Sequence, residues 1–386
     1  MLFLSINQVA SYGTARARTP GASTARGNSM RIMLLHAPDP LVRELNRRGH
    51  DVLACDTGQR SRSKSSRVVD GQPEMNYQSI GGRRKISLAS IRGVADQVRQ
   101  FRPDVLHAFS PASLAWGILG TAGLRNAPVV FSFRGITRRL RRFDPSEWIT
   151  YLSPRIAMHA CESHAVMNAM LDSGIQRDKC RVVYNVHPNF TLMKPAEAWR
   201  SEWGIEQDAW VIGVVANVRP VKGVDLLLRA AMRMIDLPKW RIVILGNIYD
   251  EEVVRLSKQP ELKGRIVLPG YIKQAPAAMT AFDVFAMPSR SEGLCRSLIE
   301  AMSLGICPVV SSAGGMKELV RHEHDGLVFP VEDVESLHAA LRRLYQECDL
   351  RNRLGLSGRD RVRTICAPSV VAEKLESMYR LAPAFA

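Results

Sequence analysis

The chain has 386 residues, of which 46% are hydrophobic and 23% charged; this length and balance fit two folded domains with cores of their own and exclude a miniature disulfide-stapled scaffold or a disordered chain. No stretch approaches the roughly 18 uninterrupted apolar residues of a membrane-spanning helix, and the seven scattered cysteines (Cys55, Cys161, Cys180, Cys295, Cys307, Cys348 and Cys366) form no Cys-x-x-Cys pair, which reads as reduced thiols in a cytoplasmic protein. The formal charge of +16 is lopsided: residues 1–190 hold 27 lysines and arginines against 13 acids, and residues 191–386 hold 26 against 24, so the first half attracts polyanions unless its charge serves solubility alone.

Residues 1–29 contain no acid and show no apolar periodicity. They read as a disordered extension, with the composition of a transit peptide or of an over-extended start ahead of Met30; the second is favoured because the first six residues are too short for a signal-peptide core. From Met30 to residue 186 the pattern is strand then helix, repeated. The apolar run MRIMLLHA is followed by an amphipathic helix to Gly49 and the strand DVLACD. After a polar basic stretch over 58–85, with a weak strand near 75–80, come a helix over 88–101, a strand over 104–107, a helix over 111–124 and a strand over 128–133. Strand 156–161, a helix to about 173 and a strand over 181–184 complete the unit. Such alternation predicts a parallel sheet covered on both faces.

The alternation stalls over 187–208, the expected linker, and restarts at Trp210 for a second domain over 209–365. Its strands are expected at 210–217, 241–245, 265–268, 284–287, 307–311 and 326–329, with helices over 224–235, 275–282, 295–303, 316–320 and 334–345. A last helix within 366–386 is expected to pack back on the first domain. The fold class is thus α/β, two Rossmann-like doubly wound domains in tandem with an interdomain cleft beyond the carboxyl ends of both sheets.

Two windows carry the chemistry. In PSRSEGLCRSLIEAMSLG (288–305) a loop passes through Glu292 and Gly293 into a helix bearing Glu300. The amides of Gly293, Leu294 and Cys295 would be unsatisfied donors at a helix start, able to receive phosphate oxygens. One carboxylate in the loop and one two turns along the helix suit a ligand with hydroxyls at both ends of a diphosphate; the alternative is a helix-start acid and a solvated helix surface. In VIGVVANVRPVKGVD (211–225) a buried strand leads to a turn with Arg219 and Lys222, then Gly223 and a helix. Those cations either neutralise a diphosphate leaving group or are surface charges on a turn.

Together with LPGYI (268–272), CPVVSSAGGMKELV (307–320) and HDGLVFPVEDVESL (324–337), these windows resemble the retaining family-4 glycosyltransferases of GT-B architecture. The likeness is dense over about 210–345 and looser in RPDVLHAFSPASLAWGILG and APVVFSFRGI. The resemblance implies a nucleotide-sugar donor, UDP-sugar favoured, in the second domain, an acceptor in the first, and neither cofactor nor required metal. It also implies roles. Glu300 would bind the ribose hydroxyls and Glu292 would sit at the transferred sugar. Arg219 and Lys222 would hold the diphosphate, and Ile272 would approach the base through its backbone, with Gly246 also on the donor.

The sequence departs from the family pattern in places. The position five before Lys222 is Asn217 rather than an arginine, no Gly-rich loop follows the first strand, and Arg134-Gly135 stands where His-Gly is frequent. Arg134, always charged, is expected to contact donor phosphate or an anionic acceptor, or else to pack against a carboxylate such as Asp144. His107, at a strand end, is expected either to line the cleft or to be a packed core histidine. Arg138, Arg139, Arg141 and Arg142 are expected near the cleft mouth, either as a solvated basic turn or in contact with the acceptor or a membrane.

No Asp or Glu of the first domain presents itself as a nucleophile, so the resemblance implies same-face attack with the β-phosphate as base. The expected activity is retaining, metal-independent hexosyl transfer to an anionic acceptor, such as a lipopolysaccharide core, a lipid-linked intermediate or a polysaccharide. The setting is the cytoplasm, with peripheral contact to an anionic inner membrane face and no nucleic-acid partner. The alternative is a non-catalytic polyanion-binding protein on the same fold.

Overall fold

The computed structural model describes residues 29–56, 76–80, 87–187 and 194–382. Most of the expected extension, most of the basic stretch and residues 188–193 of the expected linker lie outside the described residues.

The first domain is built on a seven-stranded, wholly parallel sheet of order β3-β2-β1-β4-β5-β6-β7. In chain order its elements are β1 (Arg31–Leu35), α1 (Asp39–Arg47), β2 (Asp51–Asp56), β3 (Asn76–Ser79), α2 (Leu88–Phe101), β4 (Val105–Ala108), α3 (Pro111–Gly120), β5 (Val129–Arg134), the single turn α4 (Pro145–Trp148), β6 (Ile156–Cys161), α5 (His164–Leu171) and β7 (Cys180–Val182). Helices start where the sequence offers a hydroxyl: Ser87, Ser110 and Ser163 accept backbone N–H bonds at the starts of α2, α3 and α5. One face of the sheet is covered by α2, α3 and α5, and the other by α1 and the last helix of the chain.

The second domain is a six-stranded parallel sheet of order β10-β9-β8-β11-β12-β13. It comprises α6 (Ala196–Glu202), β8 (Trp210–Val215), α7 (Val224–Ala231), β9 (Trp240–Leu245), α8 (Glu251–Leu256), β10 (Ile266–Gly270), α9 (Ala275–Ala278), β11 (Val284–Met287), α10 (Arg296–Ser303), β12 (Cys307–Ser311), α11 (Met316–Leu319), β13 (Leu327–Phe329), α12 (Val334–Gln346) and α13 (Cys348–Ile365). Its central strands are buried on both faces, which is why WVIGVV reads as one continuous apolar run.

Two elements depart from the expected organisation. α6, assigned by sequence to the linker, packs on the second sheet: Trp199 joins that core, and Arg200 donates to Ala281 O, Ala209 O and the Asp283 carboxylate. α13 was not expected. It is an arginine-rich helix with a narrow apolar stripe, Leu350, Leu354 and Val362, too sparse to stand out from a polar background.

The chain then crosses back. α14 (Pro368–Arg380) buries Val371, Leu375, Met378 and Tyr379 against the first sheet, while Glu376 takes a bidentate bond from Arg48 at 2.6 and 2.8 Å and lies 2.8 Å from His50 Nε2. No described helix is long and apolar enough to cross a membrane.

Candidate functional site

In the second sheet the strand order reverses between β8 and β11, so the loops leaving their carboxyl ends diverge and open a crevice. Those loops are the two windows read from the sequence. The first makes a 3-10 turn at Pro220–Lys222 and ends at Gly223, whose φ is +63°. A Cβ there would stand 2.0 Å from Pro288 O, so only glycine permits both the conformation and the approach of the second loop. Arg290 ties the loops together: it donates to Asp225 Oδ1 and Oδ2 at 2.8 and 2.9 Å and to Pro220 O at 2.6 Å. The bond to Asp225 raises its pKa. As a result Lys222 Nζ lies 2.6 Å from Glu292 Oε2, which also accepts from Ser289 Oγ at 3.2 Å.

The remaining residues expected on this side are placed as follows. Arg219 is exposed, with its guanidinium 5.6 Å from the centre of the Tyr249 ring. Gly246 and Ile272 line one cavity of about 160 Å³ with Asn217 and Tyr271, beyond the ends of β8 and β9. Glu300 is mostly buried on α10, which raises its pKa against the pull of Arg296 at 3.5 Å. Cys295, buried at the start of α10, has φ +64°, a conformation costing a non-glycine residue about 1 kcal/mol or more. Burial pushes its thiol up to about 12, so it carries no thiolate chemistry. A larger cavity of about 410 Å³ lies between β7 and α14, at the edge of the first sheet rather than at a strand end facing the other domain.

Across from the Lys222–Glu292 pair stands a residue the sequence reading passed over. Glu162 follows β6 directly and is only 8% exposed. Asn185 Nδ2 donates to its Oε2 at 2.7 Å, and the Leu294 N–H of the second domain lies near enough to favour the ionised carboxyl. Burial pushes this carboxyl up to about 7; Glu292 adds to the rise, while Asn185, Leu294 and Lys222 oppose it. The first domain therefore does bring a carboxyl to the cleft, which corrects the sequence reading. The available signal was position: Glu162 is the first residue past the carboxyl end of a buried strand and precedes the helix-capping Ser163, where open α/β sheets bind ligands. Arg290 and Asp225 were also missed, since nothing in their spacing shows that two loops meet.

Two candidates of the first domain are corrected. His107 is fully buried and does not face the cleft: its Nδ1 is 2.7 Å from the Tyr379 hydroxyl of α14, and its ring stacks on Phe109. Burial drives its pKa down to about 3, which keeps it neutral. Arg134, 2% exposed, turns into its own domain, donating to Arg138 O at 2.5 Å and lying 4.5 Å from the centre of the Tyr151 ring. Burial lowers its pKa, and its Nε has no hydrogen-bond partner. The cleft-facing member of the Arg-Gly pair is Gly135, where a Cβ would come 2.8 Å from the Glu162 carboxyl. Of the arginine run, Arg138 pairs with the buried Glu147, Arg139 reaches Asp172 at 2.9 Å, and Arg142 approaches Ser173 O at 3.3 Å.

A second carboxylate crosses the domain boundary the other way. Glu318 of α11 accepts from the His164 and Ala165 N–H groups at 2.9 and 3.1 Å, at the start of α5, and from the Tyr184 hydroxyl at 3.3 Å. Among the described residues no group of three or more His, Cys, Asp and Glu side chains could hold a metal ion.

Residues 40–186 match the Glycosyltransferase Family 4 description and residues 195–361 match Glycosyl transferases group 1. The GDP-mannose-dependent alpha-mannosyltransferase of Mycolicibacterium smegmatis is 28% identical over 370 residues, covering 88% of this chain and 91% of that one. The sulfoquinovosyl transferase of Arabidopsis thaliana is 26% identical over 342 residues, 83% of this chain but 65% of the relative's length. Among solved structures, Anabaena HepE in complex with UDP-glucose superposes with a TM-score of 0.70 at 16% identity, covering 90% of this chain and 99% of that chain, a likeness of fold.

Proposed function

Because this chain belongs to the family-4 glycosyltransferases, whose two descriptions together span most of its length, we propose that it transfers a hexosyl group from a nucleotide-sugar to an acceptor hydroxyl with retention of anomeric configuration. The observation that carries this reading is the Lys222–Glu292 contact at the switch point of the second sheet. A lysine in that place can leave the carboxylate for a β-phosphate as negative charge develops on it. That is stabilisation of the leaving group by a preplaced cation, with Arg219 a second cation on the same turn. Glu292 then faces the transferred sugar and Glu300 the ribose, while the cavity at Gly246 and Ile272 takes the base. The acceptor oxygen bonds the anomeric carbon as the bond to the diphosphate breaks, and the acceptor proton passes to the departing β-phosphate, with no metal or cofactor required.

UDP-sugars are the favoured donors, and GDP-mannose, named for one relative, is the second to test. The cationic first half supports an anionic acceptor, such as a lipopolysaccharide core or lipid-linked intermediate, met at the cytoplasmic membrane face. The arginine run, beside the fully exposed Phe143, supports contact with that surface. Arg139→Ala combined with Arg141→Ala, leaving Arg138 to pair with Glu147, should weaken binding to anionic vesicles at low salt; an unchanged salt dependence would remove this part.

The main test is thermal. UDP-glucose or GDP-mannose at about 100 times its Kd should stabilise the chain by about 2.7 kcal/mol, and prolonged incubation should release nucleoside diphosphate. If no nucleotide-sugar raises the melting temperature and none is consumed, the reading is wrong.

A further inference from the structure

Glu162 is unusual in how closely both domains close on its carboxyl. A Cβ added at Gly293 would lie 2.1 Å from its Oε1, and one at Gly135 would lie 2.8 Å from both oxygens, so any side chain at either position would displace it. Asn185 anchors Oε2 from the first domain, and Oε1 is the atom turned to the second. The same small space contains the Leu294 N–H, and the Glu292 carboxylate and the Lys222 ammonium both act on the group.

Hydrogen-bond chemistry limits what can sit there. A phosphate oxygen only accepts, and so does Glu162 once it is ionised, at pH above about 7; placed together at the Leu294 N–H the two would then compete for one donor and repel. A hydroxyl accepts from that N–H and donates to a carboxylate at the same time. The charges agree, since the Lys222 ammonium is already paired with Glu292 and Glu162 brings a second carboxyl to the same space, a setting hostile to an added anion. The amides expected from sequence to hold phosphate are thus better matched, at Leu294, to the hydroxyls of a sugar.

We propose that Glu162 is a further substrate-binding residue, which hydrogen-bonds hydroxyls of the transferred sugar beside the Leu294 N–H and excludes donors whose sugar is negatively charged. This inference rests on the transferase reading above and adds to it a specificity-setting group from the first domain. Because Oε1 lies against Gly293, the sugar enters as the two domains part, and Glu162 meets it from the first domain as Glu292 does from the second.

The test uses the full chain with UDP, UDP-glucose, UDP-glucuronate, GDP and GDP-mannose as probes, and Glu162→Ala and Glu162→Gln as variants, each first shown to melt cooperatively. Glu162→Ala should leave UDP and GDP affinity within about twofold, yet weaken the neutral nucleotide-sugar that the wild type binds by about 10- to 100-fold. Glu162→Gln, which keeps a hydrogen-bonding group without the charge, should largely retain the neutral donor and gain about tenfold or more for UDP-glucuronate. Equal losses for the bare nucleotide and the nucleotide-sugar, or variants that match the wild type on every probe, overturn the proposal for Glu162. A wild type that binds none of the five overturns the transferase reading itself, a distinct result.

Discussion

Two glutamates cross the boundary between the domains in opposite directions, and they end in different situations. Glu318 reaches from the second domain to the start of α5, where both oxygens are used on backbone N–H groups and one also on the Tyr184 hydroxyl. Glu162 reaches from the first domain toward the start of α10 and meets one amide, two glycines and a lysine already paired with another carboxylate. The first arrangement is saturated and works as a clasp. The second leaves acceptor capacity on Oε1, buried between the domains just past the end of a strand, which is what the proposed contact with a sugar needs. A carboxylate at a helix start is therefore not informative by itself; what its oxygens have left to accept separates holding from binding.

The largest test of this contrast acts on the partner that Glu162 faces. Lys222→Ala should lower transfer by about 1000-fold while the melting transition stays cooperative, because it removes the cation expected at the leaving group; near-normal turnover would deny the pair a role in the reaction. Next comes the pH dependence of stability. Glu162 is held near pKa 7 in the folded chain, among Glu292, Lys222, Asn185 and the Leu294 amide, so the unfolded chain loses this proton first. Stability should fall as pH rises from about 5 to about 8, and Glu162→Gln should remove up to roughly 3 kcal/mol of that fall, the two proteins converging below pH 5. Denaturant melts at pH 5 and 8 measure it, and parallel pH profiles would show that the carboxyl is not strained by burial.

Steady-state kinetics give the next effect: Glu162→Ala should cut kcat/KM for a neutral donor by about 10- to 100-fold. The smallest belongs to the clasp. Glu318→Ala should cost about 1 kcal/mol of stability, and its kcat/KM should stay within about threefold of the wild type. If Glu318→Ala is instead the more damaging to kcat/KM, the division between clasp and site fails.

How far all this could be read in advance depended on the range of the forces involved. The strands and helices around Lys222 and Glu292 were legible because apolar runs and glycine turns are local signals. So was the pair of doubly wound domains, since alternating strands and helices leave few ways to bury a parallel sheet; the GT-B name came from the family resemblance. The position of Gly223 also marked a turn correctly. The directions of His107 and Arg134 could not be read for a shared reason: each lies at or next to a strand end, and which way such a side chain turns depends on what covers it. For His107 the cover is Tyr379, 272 residues away; for Arg134 it is the Tyr151 ring below the arginine loop. α13 escaped because close packing on a few leucines does not need a broad apolar face.

The order of residues alone settled the architecture, the two loops at the switch point and the types of group they carry, because these follow from neighbours a few positions apart. Partnership needed the folded molecule: Lys222 with Glu292 across 70 positions, Asn185 with Glu162, and Glu162 with the Leu294 amide of the other domain. Hydrogen bonds and charges act over a few ångströms in space, and only folding brings groups so distant along the chain within that range: the closing of each sheet for the first two pairs, and the packing of one domain on the other for the third.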